Sequence, residues 1–185
     1  MVKEATRRIP SHLNSLLKYT LLQDDTILPF ESNSIDIVFS KGVLVHVEDK
    51  APLFREVLRI LKPGGLFLID DWLSPQKSEW GGNIKKLIEL EKLELFATTE
   101  VDYRDVLTQT GFHNISMKNI SIEYAHYNRD IVARLEKLPA AEKTALNDQF
   151  GPTFIADAAS GYRFIAQAQE AGELLVYNIK AYKRD

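Results

Sequence analysis

Asp24 and Asp25 close a short β-prone run, Tyr19 to Gln23. A carboxylate fixed at a strand end can accept a hydrogen bond from an amino group, and in a solvated turn or as a helix cap it does neither more nor less than face water or backbone. Ser40 and Lys41 end a second such run, Ile35 to Ser40, and open α/β sheets bind ligands at that carboxyl edge. His46 follows inside the apolar stretch Val43-Leu44-Val45-His46-Val47. A neutral imidazole there can take a proton from a nucleophile, worth about 10²- to 10⁴-fold in rate; packed in a core it does no chemistry. Asp70-Asp71-Trp72 ends a third run on the same kind of edge, and Trp72, Trp80, Tyr124 and Tyr127 can wall a cationic amine or serve as core packing. His12, His113 and His126 are not at metal-ligand spacings, so no metal site is expected.

Elements with recognisable local signals must position these groups. Residues 2 to 16 carry apolar residues at mixed three- and four-residue spacings, predicting a helix that Pro10 can split in two. Ile35 to Ser40 and Tyr19 to Gln23 are expected to be strands buried on two faces. Asp49 is a suitable N-cap for a helix over Ala51 to Leu61, with Pro52 in its first turn and Leu53, Val57, Leu58 and Leu61 along one face. Lys62-Pro63-Gly64-Gly65 stops that helix and leads into a strand from Gly65 to Asp70. Strand, helix and strand in this order predict a right-handed parallel crossover. Further helices are expected over 80–96, 101–110, 128–149 and 153–171, with strands over 112–124 and 173–182.

The chain has 185 residues, 45% hydrophobic and 26% charged, which suits a single globular domain. It contains no cysteine, which removes disulfide scaffolds, thiolate metal sites and cysteine nucleophiles. A formal charge of -3 with scattered cations gives no field to gather nucleic acid or an anionic membrane, so neither is an expected partner. No apolar run approaches a membrane span, and the start lacks the apolar core of a signal peptide; a cytoplasmic location is expected.

Leu28-Pro29-Phe30, the run Asp36 to Ser40 with Val45-His46-Val47 after it, and Leu61-Lys62-Pro63-Gly64-Gly65 ahead of Leu66 to Asp70 together resemble class I S-adenosylmethionine-dependent methyltransferases. Phe39-Ser40-Lys41, Val45-His46-Val47 and Asp70-Asp71-Trp72 are similar to the phosphoethanolamine N-methyltransferases and related small-molecule enzymes. The resemblance implies an α/β, Rossmann-like three-layer methyltransferase sheet with helical insertions. It implies S-adenosylmethionine as cofactor, Asp24 and Asp25 as acceptors for the adenine amino group, and Ser40 and Lys41 beside the cofactor. His46 would act on the acceptor, and Trp72, Trp80 and Tyr124 would face it. Asp36 is expected to cap backbone amides.

The Gly-rich loop with which these enzymes open has no counterpart among the nine glycines. Residues 1–185 are therefore expected to form one methyltransferase domain that lacks its first two strands, with 75–110 and 126–171 as helical covers over the acceptor. The implied function is methyl transfer to a small-molecule N or O acceptor by in-line displacement, as part of a complete enzyme. The alternative is a non-catalytic remnant serving as an interaction module. The family's acidic residue two after the serine is Gly42 here, and Glu89, Glu91 and Glu94 dominate where a phosphate-holding Arg and Tyr pattern belongs, so phosphoethanolamine itself is not expected as substrate. The strand Ile35 to Ser40, left without its usual neighbour, is expected to pair with Tyr19 to Gln23 or across a homo-oligomer interface.

Overall fold

A computed structural model describes residues 2–13, 15–22 and 27–185. Helix α1, Val2–Arg7, and a 3-10 turn, Ser11–Leu13, flank Pro10. The single helix over 2–16 is thus split where proline removes a backbone donor. Tyr19 to Leu22 form no strand, and Tyr19, Leu21 and Leu22 are exposed. A strand needs a ladder partner, and no described strand runs beside them. Gln23, Asp24 and Asp25 lie outside the described residues.

Strand β1, Ile35–Lys41, begins the sheet. Helix α2, Lys50–Ile60, follows, its N-cap Asp49 accepting from the Ala51 amide, and Phe54, Val57 and Ile60 are buried. Strand β2, Leu61–Leu73, pairs in parallel with β1 from Ile35↔Leu61 to Lys41↔Asp70. Pairing starts at Leu61, not Gly65: Lys62 to Gly65 bulge out of register, and Gly64 turns with φ +71. The Gly64 amide donates to the Lys183 carbonyl and the Gly65 carbonyl accepts from the Lys183 amide instead, and Asp36 is exposed and ion-paired to Lys62 at 2.8 Å, capping no amide.

Helices α3, Gly82–Glu91, and α4, Glu100–Gln109, precede strand β3, His113–Asn119. Residues 121 to 124 are helical, not the end of a strand, because the Asn119 carboxamide accepts from the Ser121 amide and starts α5, Ser121–Lys137. Leu138 takes an extended conformation before Pro139, so the helix expected over 128–149 becomes α5 and α6, Ala140–Phe150. Helix α7, Phe154–Glu170, and strand β4, Leu175–Tyr182, complete the chain.

The sheet order is β1-β2-β4-β3, with β4 antiparallel to both neighbours. Phe67, Ile69 and Leu73 of β2 face α2 and α4, where Phe54 meets the Phe67 ring edge-on at 5.5 Å and Tyr103 is fully buried. The alternate residues Leu66, Leu68, Asp70 and Trp72 face the other way, toward α5 and, at Trp72, the core formed by α3, α7 and Trp80. This places helices on both faces of an α/β sheet. β1 departs from the expected two-sided burial: Ile37 is 60% and Phe39 58% exposed, because no described element covers that face or the outer edge of β1. The expected pairing of residues 19–22 with this edge is not formed.

Candidate active site

The carboxyl ends of β1 and β2 bring three polar side chains together. Lys41 lies opposite Asp70 in the ladder, and the next amide, Gly42, donates to the Asp70 carbonyl at 2.7 Å. Gly42 turns away with φ +61, and a Cβ there would meet nothing within 4 Å. Tyr124 of α5 donates its hydroxyl to Asp70 Oδ2, and Lys41 Nζ stands 5.8 Å from the Tyr124 ring centroid. Burial and the Asp70 carboxylate both push the Tyr124 hydroxyl upward, so it stays a donor and fixes Asp70. Ser40, paired with Ile69, is half-buried on the opposite face of the sheet, so the pleat separates its side chain from this group.

Asp71 points to the opposite face. It is fully buried, accepting from the Val45 amide at 3.1 Å and from the Tyr103 hydroxyl at 3.1 Å. Burial raises its pKa to about 6 against the opposing pull of the Trp72 amide, Lys50 and those two donors. Lys50 is itself buried, donates to the Val47 carbonyl at 2.8 Å, and is shifted downward by burial. Together these groups anchor the 3-10 turn Leu44–His46 to the sheet.

The His46 ring is exposed, which rules out core packing. Its Nδ1 is 2.8 Å from the Glu94 carbonyl, which only accepts, so Nδ1 carries a proton and, in the neutral ring, Nε2 is the acceptor. His46 lines a shallow depression with Glu48, Asp49 and Phe96, apart from the larger cleft that Trp72 lines.

The aromatic residues separate. Trp72 is half-buried on the wall of a 630 Å³ cleft. Trp80 is a core residue at 6% exposure, and its indole N–H is spent on the Leu95 carbonyl at 2.9 Å, so a substrate contact through that group has no physical basis. Tyr124 sits at the strand ends, and Tyr127 is exposed beside Asp130 and Arg134. Phe150, Phe154, Asp157 and Tyr162, none of them marked by the sequence, line the Trp72 cleft together with Glu91. The acidic Glu91 at the carboxyl end of α3 was their one available signal.

The Leu28-Pro29-Phe30 loop is held from α2. Glu56 accepts from the Leu28 amide at 3.0 Å, and Arg59 donates to the Leu28 carbonyl at 3.1 Å and the Phe30 carbonyl at 2.9 Å. Arg59 and Glu56 also pair at 2.7 Å, and that guanidinium, with the Leu28 amide, lowers the Glu56 pKa to about 2.

A methyltransferase domain family model matches residues 1–69. The chain is 32% identical over 94 residues to a phosphoethanolamine N-methyltransferase of Plasmodium falciparum, covering 50% of this chain and 35% of that protein. It is 33% identical over 152 residues to a glycine/sarcosine/dimethylglycine N-methyltransferase of Actinopolyspora halophila, covering 80% and 25% respectively. Among solved structures, phosphoethanolamine N-methyltransferase 2 of Haemonchus contortus, in complex with phosphomonomethylethanolamine and S-adenosylhomocysteine, superposes with a TM-score of 0.71 at 23% identity, over 87% of this chain and 36% of that one. Fold and motifs agree in their likeness to the class I S-adenosylmethionine-dependent methyltransferases of the group that contains the phosphoethanolamine enzymes. The chain spans 25% to 35% of the length of the two sequence relatives described.

No helix among the described residues is long and apolar enough to cross a membrane. No described group of three or more His, Asp or Glu residues is arranged to hold a metal ion.

Proposed function

We propose that this chain takes part in S-adenosylmethionine-dependent methyl transfer to a small-molecule N or O acceptor, as part of a complete enzyme. The observation that carries the reading is the convergence of Lys41, Asp70 and Tyr124 at the carboxyl ends of the parallel pair β1 and β2, with Ser40 next to them in the chain on the opposite face of β1. Open α/β sheets bind ligands at such an edge. The residues present fit a zwitterionic, purine-bearing cofactor: Gly42 leaves the strand end open, Lys41 and Asp70 offer opposite charges, and the Leu28-Pro29-Phe30 loop is rigidly docked through Arg59. Asp24 and Asp25 would accept from the adenine amino group.

When bound, S-adenosylmethionine supplies an electrophilic methyl group on a sulfonium. The residues of the chain align the acceptor for in-line attack, keep water out and remove its proton. In the neutral ring His46 has the tautomer for the last task, its Nδ1 proton held by the Glu94 carbonyl and Nε2 able to accept. It lines a depression separate from the Trp72 cleft, so it would serve as base for an acceptor that extends from one to the other. Helical segments 75–110 and 126–171 would cover the acceptor, with Trp72 facing it. The bare face of β1 favours a second reading, a non-catalytic interaction module that uses Ile37 and Phe39 as its surface.

Calorimetric titration of S-adenosylhomocysteine into the chain, and into the longest protein that carries it, separates the two readings. Binding that weakens by about 1 to 3 kcal/mol on Asp24→Ala, the cost of losing a buried acceptor, is the expected result. No binding to either protein overturns the methyltransferase function and leaves the interaction module.

A further inference from the structure

We propose that the cleft between the end of α3, the end of β2 and the α6–α7 corner binds an organic cation with an apolar body, an amine or ammonium carrying an aromatic or branched group. Given the methyl-transfer reading above, on which this part rests, the methyl acceptor is the amine of that class, which binds as its ammonium ion and gives up an N–H proton to free the lone pair that takes the methyl group. The cleft has a volume of 630 Å³, in the range of small-molecule sites. Its aromatic walls are Trp72, Phe150, Phe154 and Tyr162, and its charges are Glu91 and Asp157, with no Lys or Arg in the lining.

Three observations favour a cation. Phe150 and Phe154 stack at 4.8 Å yet remain 58% and 36% exposed, leaving aromatic faces open to a ligand. Such faces attract ammonium groups through the ring quadrupole. The carboxylates of Glu91 and Asp157 have no hydrogen-bond or ion-pair partner among the described residues, whereas Glu136 and Glu170 near by in the same helical layer are paired to arginines at 2.7 and 2.5 Å. Neither of the two negative charges in this aromatic cleft has a cationic side chain against it; Asp157, in the first turn of α7, has only that helix's dipole, and Glu91 lacks even that.

The third observation is that the position of Glu91 contradicts local preference. It is the last residue of α3, where the helix dipole disfavours an acid. Its carboxylate is nonetheless seated against α7 by Gly161, where a Cβ would come within 2.5 Å of Glu91 Oε1. Departures of this kind belong to functional positions. A phosphate-bearing acceptor would meet two carboxylates and no cation. A neutral one would bury those carboxylates uncompensated. Trp72, two residues beyond Asp70 on the same face of β2, connects the cleft to the strand edge.

Benzyltrimethylammonium serves as the probe, with benzyl alcohol as its neutral counterpart and phosphocholine as the phosphate-bearing one, each titrated into the whole chain by calorimetry. The cation is expected to bind about tenfold tighter than the alcohol, and Glu91→Gln with Asp157→Asn to weaken it about three- to tenfold while leaving the alcohol unchanged. Gly161→Ala, which displaces the Glu91 carboxylate, is expected to act in the same direction. Equal binding of cation and alcohol, tighter binding of phosphocholine, or indifference to the double substitution overturns the proposal. Should the substituted proteins misfold, the ratio between the three probes on the unaltered chain decides alone. S-adenosylhomocysteine binding is read separately: a cation site without it retains the ligand class and removes the acceptor role, and its presence without cation preference overturns the cleft assignment only.

Discussion

Asp71→Asn tests whether a buried carboxylate governs the turn that carries His46. Asp71 is fully buried and accepts from Val45 and Tyr103, each at 3.1 Å. Its pKa rises from 3.8 to about 6, burial being the largest cause. The folded state thus holds the proton more tightly than the unfolded chain. The associated stability is full below pH 3.8 and is lost as pH rises through about 6. A shift of this size corresponds to about 3 kcal/mol. Asparagine keeps the shape without titrating. Its carboxamide oxygen can accept from Val45, while its NH2 donates to the Tyr103 hydroxyl, which can reverse role.

Urea unfolding followed by far-ultraviolet circular dichroism at pH 4, 5, 6 and 7 should show the wild type losing about 2 of those roughly 3 kcal/mol relative to Asp71→Asn across that range. Taking the difference between the two proteins cancels every other titrating group. Parallel pH curves would refute the reasoning. Asp71→Ala, by contrast, orphans two buried donors and should cost about 2 to 6 kcal/mol at every pH.

Glu56, held near 2 chiefly by Arg59, contributes stability that is present above pH 4.5 and lost as pH falls through about 2, so Glu56→Gln should flatten the acid limb of a melting-temperature profile. An unchanged limb would remove the clamp on the Leu28-Pro29-Phe30 loop from the account. In an active protein, His46→Asn should lower kcat and leave S-adenosylhomocysteine affinity nearly intact; an unaltered pH-rate profile would exclude His46 as the base. The bare edge of β1, with Ile37 and Phe39 exposed, predicts concentration-dependent association that Ile37→Lys with Phe39→Lys abolishes. Sedimentation velocity showing a stable monomer of the unaltered chain would defeat it.

Local chemistry made part of this protein legible in its sequence. Asp49 with Pro52 marked the start of α2, the β-branched run Ile35 to Val38 marked β1, and Gly111 marked the end of α4, because caps, propensities and turns act over a few residues. The strand-helix-strand order then forced a parallel β1–β2 pair, and with it the edge that holds Ser40, Lys41 and Asp70. Asparagine at 119 and proline at 139 were visible too, but their effects on α5 and α6 depended on which hydrogen bonds the surrounding fold offered.

Tertiary structure alone decided the rest. Whether Ile37 and Phe39 are buried depends on what lies across the sheet, and the apolar run Ile37-Val38-Phe39 reads the same with or without a cover. Asp70 and Asp71 are neighbours of identical type, yet the pleat sends one to Tyr124 at the ligand edge and the other into the core against Tyr103. Glu91 and Asp157 are 66 positions apart and meet in one cleft only because α3 packs on α7. Sequence spacing carries local geometry, and long-range proximity is set by how the faces of the elements pack.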